Sequence, residues 1–161
     1  MNKNTILLIM SSLIILTING CKTEQTSTSA YISYETSCIG IEHDGSETLR
    51  AWGEGKDKAD AVEQAKKNAV YDVIFKGISA GKSECNMRPL INEVNAREKY
   101  ADYFNDFFKD NGNYKKFISS LDEKTNSKEH QNYKLGTKYG VTVRVLRAQL
   151  EKQLKTDGLI K

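Results

Sequence analysis

Residues 53–77 read GEGKDKADAVEQAKKNAVYDVIFKG, and this run holds a strand exit, a helix start and a helix stop in succession. Gly53-Glu54-Gly55 breaks the extended pattern that precedes it. Asp57 stands where a side-chain oxygen can cap the first free N–H groups of a helix. Behind it Ala61, Val62, Ala65, Ala69, Val70, Val73 and Ile74 fall on one stripe at helical spacing. The first half of the stripe is mainly alanine, whose single methyl lets a helix axis come close to a sheet. Gly77 is a natural stop. A glycine turn at a helix start also exposes backbone donors to phosphate. Gly53-Glu54-Gly55-Lys56, however, lacks the spacing and the following Ser or Thr of a Walker loop, and the third glycine of a dinucleotide fingerprint. It reads as a tight strand-to-helix turn.

Upstream, Tyr31 to Glu42 is rich in β-branched and aromatic residues, His43-Asp44-Gly45-Ser46 supplies turn chemistry, and Glu47 to Gly53 resumes the extended pattern. This is a hairpin. Downstream, Ile78 to Met87 reads as a loop and Pro89 to Val94 as a short helical stretch. Glu98 to Lys109 forms a further helix carrying Tyr100, Tyr103, Phe104, Phe107 and Phe108 on one broad face. Those rings suit a core, and any exposed remnant of them would be a partner surface. Asp110 to Asn113 is a turn, Tyr114 to Asp122 a strand and Glu123 to Gln131 a polar loop. Tyr133 to Leu146 gives the clearest strand, with Val141, Val143 and Val145 on one face and Thr142 and Arg144 on the other. A closing helix carries Leu146, Leu150 and Leu154 and stops at Gly158. The order β-β-α-(α)-α-β-β-α predicts an α+β fold, an antiparallel sheet of two hairpins with helices packed on one face. Residues 31–161 make one domain, large enough for one core.

Residues 1–20 have a polar, basic start (Asn2, Lys3, Asn4) and an apolar stretch from Ile6 to Ile18. About 13 residues of helix reach about 20 Å, short of the roughly 30 Å of a bilayer core, so the segment targets rather than spans. It ends in Ile18-Asn19-Gly20-Cys21, which resembles the lipobox of bacterial lipoproteins: an aliphatic residue at minus three, a small one at minus one, then cysteine. Asn19 is less usual than Ala or Ser at its position. The resemblance implies lipidation of Cys21, cleavage before it and a lasting membrane anchor, since two acyl chains hold where one does not. Lys22, where an Asp would favour inner-membrane retention in the Gram-negative sorting pattern, points to the outer membrane and leaves the displayed face open. Residues 21–30 then form a lipidated tether, polar from Lys22 to Ala30, able to reach about 30 Å when extended.

The formal charge is +3, and losing Lys3 with the leader lowers it by one. Basic and acidic residues alternate, and Lys66-Lys67 lies between Glu63 and Asp72, so no nucleic-acid field is present. With Cys21 lipidated, Cys38 and Cys85 remain as a pair in an oxidising compartment. A disulfide between them is allowed, and spacing alone leaves it open. The two histidines, His43 and His130, sit in expected loops, far apart and without a zinc or nucleophile spacing; no metal or cofactor is called for.

Trp52-Gly53-Glu54-Gly55, the alanine-rich helix with Glu63, Ala65, Lys66, Asn68 and Ala69, and the late segment Gly140 to Leu154 resemble the N-terminal domain of flagellar assembly protein T and related envelope lipoproteins. The resemblance covers about half of the mature chain and implies a sheet-plus-helix fold with a non-enzymatic role in envelope assembly. The segment Tyr103 to Phe108 departs from that pattern. The expectation is a membrane-anchored docking or assembly subunit that binds an envelope protein or a copy of itself. A glycan- or peptide-binding module using the rings from Tyr100 to Phe108 is the second reading, and a cell-wall hydrolase the third.

Overall fold

The computed structural model describes residues 34–85, 88–133 and 136–161, with the backbone alone described over 120–133. The leader, the lipobox with Cys21 and the tether lie outside these residues. Helix α1, Lys58–Tyr71, starts as its sequence demands: Asp57 is extended and its carboxylate accepts from the N–H of Asp60 at 3.0 Å. Its stripe of Ala61, Ala65, Ala69 and Val70 is buried. The helix then widens into a π turn, Asp72–Lys76, closed where Gly77 N–H donates to the Asp72 carbonyl at 2.7 Å. Gly77 has φ 75°, a conformation that glycine adopts without a Cβ penalty.

Among the described residues, five strands form the sheet under α1: β1 (Ser37–Ile41), β2 (Glu47–Gly55), β3 (Ala80–Gly81), β4 (Ile118–Tyr133) and β5 (Gly136–Val145). Their order is β3-β1-β2-β5-β4. The two hairpins, β1-β2 and β4-β5, join through the antiparallel β2-β5 pair, and only β3 runs parallel to its neighbour. The first hairpin turns where expected: Asp44 accepts from both the N–H and the hydroxyl of Ser46, and Glu42 exchanges backbone bonds with Ser46 and Gly45. Three short helices follow, α2 (Ala96–Lys99), α3 (Ala101–Phe108) and α4 (Arg147–Thr156), with a 3-10 turn at Asn113–Phe117. Among the described residues, side chains from the sheet, the helices and the turns meet in one core on the α1 side of the sheet, among them Leu49, Val73, Phe104, Tyr114, Val143 and Leu150. The fold is α+β, a mostly antiparallel sheet with helices on one face.

Gly53-Glu54-Gly55 does not break the strand. It is the last part of β2, paired residue for residue with Tyr139, Lys138 and Thr137 of β5. The glycines serve the layer above instead. A Cβ on Gly53 would lie 2.2 Å from the Ala61 carbonyl oxygen and the Ala65 nitrogen, and one on Gly55 would lie 2.4 Å from the Asp60 Cβ. The start of α1 therefore rests backbone to backbone on β2.

Other expectations are corrected as well. Pro89 to Val94 is not helical; the N–H groups of Leu90 and Ile91 donate to the carbonyls of Val73 and Ile74 at 3.0 and 2.9 Å, using the acceptors that a helix end leaves over. Glu98 to Lys109 is two helices, parted at Tyr100 (φ −111°, ψ 37°). Tyr114 to Phe117 is a 3-10 turn, and the polar run Glu123 to Gln131 belongs to β4, which places the backbone of His130 in a strand opposite Tyr139. The reason is bulging. β4 advances five positions from Ser119 to Lys124 while β5 advances two, from Arg144 to Thr142, and the same excess recurs between Thr125 and His130. Each excess of three residues breaks the two-residue repeat of the strand, so the sequence carries no continuous alternation.

Cys38 and Cys85 form a disulfide with Cα atoms 6.3 Å apart. β3 sets it up: Gly81 lies so close to Cys38 that a Cβ there would meet the Cys38 carbonyl at 2.2 Å. Lys82 N–H then donates to that carbonyl, and the turn closed by Cys85 N–H on the Lys82 carbonyl brings Cys85 back over β1.

Three stability measurements follow from this packing. Gly53→Ala lowers the unfolding free energy by about 3 kcal/mol in urea titration, the upper part of the overpacking range, because helix backbone has no rotamer to yield with. Gly40→Ala, with nothing within 4 Å of the added methyl, changes it by no more than about 1 kcal/mol. Reduction of the disulfide, which spans 47 residues, lowers stability by roughly 4 kcal/mol. An unchanged urea midpoint in reductant would contradict the chain-entropy account.

Candidate functional site

Pairing between β1 and β2 begins at Ser37 opposite Arg50, so the chain at Tyr34–Thr36 leaves the sheet edge beside Trp52. The Trp52 carbonyl then has no strand partner in β1. Asn68, on the flank of α1, reaches it instead, its side-chain N–H donating at 2.7 Å. Gln64 in turn donates to the Asn68 side-chain oxygen at 2.8 Å. One turn further on, Asp72 is buried and accepts from the Thr36 hydroxyl at 2.5 Å, with the Lys76 ammonium 3.0 Å from its other oxygen. Ser79 donates to Glu35 across the same opening at 2.5 Å.

These contacts bound a cleft of about 640 Å³ between the flank of α1 and the 34–36 segment, with Tyr71 and Gly77 also on its wall. The ring of Tyr34 meets that of Trp52 edge-on, centroids 5.2 Å apart, and the Lys138 ammonium stands 3.5 Å from the Tyr34 centroid. Two carboxylates and one ammonium line the cleft, so it does not favour an anion. None of its residues was expected as a site from the sequence; Trp52 and Asn68 entered only as part of a structural resemblance. The available signal was Asp72, a charge set beside the apolar stripe, and Trp52, the single tryptophan of the chain.

The aromatic segment expected as core or partner surface is mainly interior. Phe104 and Phe107 are buried, while Tyr100, Tyr103 and Phe108 are half-buried against the same core. Phe104 meets Phe75 at 4.7 Å, and the Tyr103 hydroxyl donates to Asp157 at 2.6 Å. Burial and that acceptor push the Tyr103 phenol well above its ordinary value. Tyr114 is raised by burial and by its bond to Glu63. Burial works against the Glu63 carboxylate, but hydrogen bonds from Lys115 and Tyr114 outweigh it and hold its pKa below the ordinary value. Among the described residues, no three His, Cys, Asp or Glu side chains are grouped to hold a metal ion, and no helix is long and apolar enough to cross a membrane.

Among the described residues of the sheet, Glu47 places a carboxylate on the core face. Glu47 is 1% exposed, and its ion partner is the guanidinium of Arg147, Nε to Oε1 3.6 Å, at the start of α4. Arg147 also donates to the Arg88 carbonyl at 2.8 Å. Burial raises the Glu47 pKa, and Arg147 only partly offsets it.

The chain matches no protein-family model, no curated protein and no solved structure.

The Glu47 shift has a definite sign in solution. Above the ordinary value of 4.5, and up to its raised native value, the folded state holds more protons than the unfolded one, so stability falls as pH rises through that window. Glu63, lowered, acts in the opposite sense and below 4.5, where its contribution is lost on acidification. Urea midpoints measured upward from pH 4.5 should therefore decline in the native protein, and Glu47→Gln should remove that decline. Glu47→Leu alone costs about 3 kcal/mol by stranding the Arg147 charge, and Glu47→Leu with Arg147→Met recovers most of it.

Proposed function

We propose that this protein is a non-catalytic subunit of a bacterial envelope, anchored by lipid on Cys21 to the outer membrane, where its domain docks an envelope protein or a second copy of itself. The observation that carries the reading is the pairing of a lipobox-like Ile18-Asn19-Gly20-Cys21 with a disulfide at Cys38–Cys85. Structural disulfides persist in oxidising compartments, which is where a lipoprotein leader delivers its cargo. The polar tether from Lys22 to Ala30 supports the same reading, since it lets a folded domain meet partners clear of the headgroups. The likeness of the 52–69 stretch to flagellar assembly protein T and related envelope lipoproteins agrees with an assembly role. The second reading of the rings at Tyr100 to Phe108, as a platform for glycan or peptide, loses support from the burial of Phe104 and Phe107.

The test is crosslinking in intact cells followed by purification and mass spectrometry, with Cys21→Ala as the unanchored control. The native protein incorporates radiolabelled palmitate, fractionates with the outer membrane and recovers one defined protein, or its own dimer. Cys21→Ala loses the label, the membrane fraction and the partner. Recovery of bulk envelope proteins alone, from both forms, would sink the docking reading.

A further inference from the structure

We propose that the cleft beside Trp52 is a binding site for a short neutral saccharide, a property that goes beyond the docking role and does not depend on it. Its volume of about 640 Å³ lies within the roughly 300–1,000 Å³ of small-molecule sites. Its walls carry side-chain amides (Gln64, Asn68), carboxylates (Glu35, Asp72) and hydroxyls (Thr36, Ser79). Sugar hydroxyls are each donor and acceptor, and such a set of amides and carboxylates can meet both roles at once. Three aromatic residues, Tyr34, Trp52 and Tyr71, supply the apolar surface that the C–H face of a pyranose ring needs.

The alternatives are disfavoured by the same residues. A phosphate or other anion would face Glu35 and Asp72 with Lys76 as the only ammonium on the wall, already 3.0 Å from Asp72. A peptide adding a strand to β2 would need the Trp52 carbonyl, which the Asn68 amide occupies. A neutral, polyhydroxylated ligand meets neither of these obstacles.

Trp52 makes the test direct, because the single tryptophan of the chain lines the cleft and its emission reports on that place alone. The full chain is purified in a detergent without a sugar headgroup and titrated with cellotetraose and with the tetramer of N-acetylglucosamine, each up to ~10 mM, where a weak single-site ligand saturates. The expected result is a saturable change in Trp52 emission with at least one of the two and none with inorganic phosphate. Gln64→Ala and Glu35→Ala, both at exposed positions, each weaken binding at least fivefold, while Val94→Ser, at a residue outside the cleft and 83% exposed, leaves it unchanged. Absence of a saturable response to either sugar, in protein that still unfolds cooperatively, overturns the proposal. So does a response that both cleft variants leave intact, or one elicited by phosphate alone.

Discussion

The contact on which the rest of the structure depends is that of α1 with the end of β2. Gly53 and Gly55 leave no side chain between strand and helix, and Ala61 and Ala65 add only methyls on the facing side. The inward residues of β2 then grow along the strand, from Gly55 and Gly53 through Ala51 to Leu49 and Glu47, all on the face toward the core. The helix runs back along that gradient, adding Val70, Val73 and Ile74 at its far end. Two surfaces graded in this way pack as a wedge, closed at the Gly55 end and open at the other. Toward that opening Phe104 meets Phe75, next after Ile74, at 4.7 Å, and Phe107 stacks on Phe117 at 5.9 Å. Close packing at one end thus decides where aromatic volume is needed at the other.

The cleft is a product of the same wedge. Because α1 lies directly on β2, Asn68 on its flank is near enough to bond the Trp52 carbonyl at the edge of the sheet. A helix held further away by larger residues would leave that carbonyl to a strand or to water. With the carbonyl satisfied, β1 need not extend past Ser37, and Tyr34–Thr36 can turn away toward Asp72. The π turn has a comparable effect. It leaves the carbonyls of Val73 and Ile74 to outside donors, and the chain at Leu90 and Ile91 is extended because it provides them.

Where local chemistry and tertiary role coincided, the fold could be read from the sequence. Asp57 caps, the alanine stripe buries and the valines of β5 alternate, each for a reason contained within a few residues. Gly53-Glu54-Gly55 misled because glycine answers two different needs, freedom of the backbone and absence of a side chain, and the sequence does not say which applies. Pro89 to Val94 and β4 were obscure for another reason. The first takes its conformation from acceptors on the π turn, outside the segment itself, and the second has lost its period to two bulges. The cleft draws on residues 34–36, 52, 64–72 and 76–79, a set that no local spacing unites.

Glu47 and Arg147 show how a costly pair can still set geometry. A carboxylate at 1% exposure beside one guanidinium is poor as a source of stability, since desolvation of both groups consumes what their attraction returns. Its position is nonetheless specific. Glu47 opens β2 opposite Val145, the last residue of β5, and Arg147 opens α4 two residues later. An apolar pair in those places would bury well in several arrangements of the helix. The charged pair permits only those that bring the guanidinium onto the carboxylate, and the bond from Arg147 to the Arg88 carbonyl extends that restriction to the chain between the disulfide and α2. The closing helix is therefore registered against the first hairpin by a polar contact, while the leucines at 150 and 154 supply its burial.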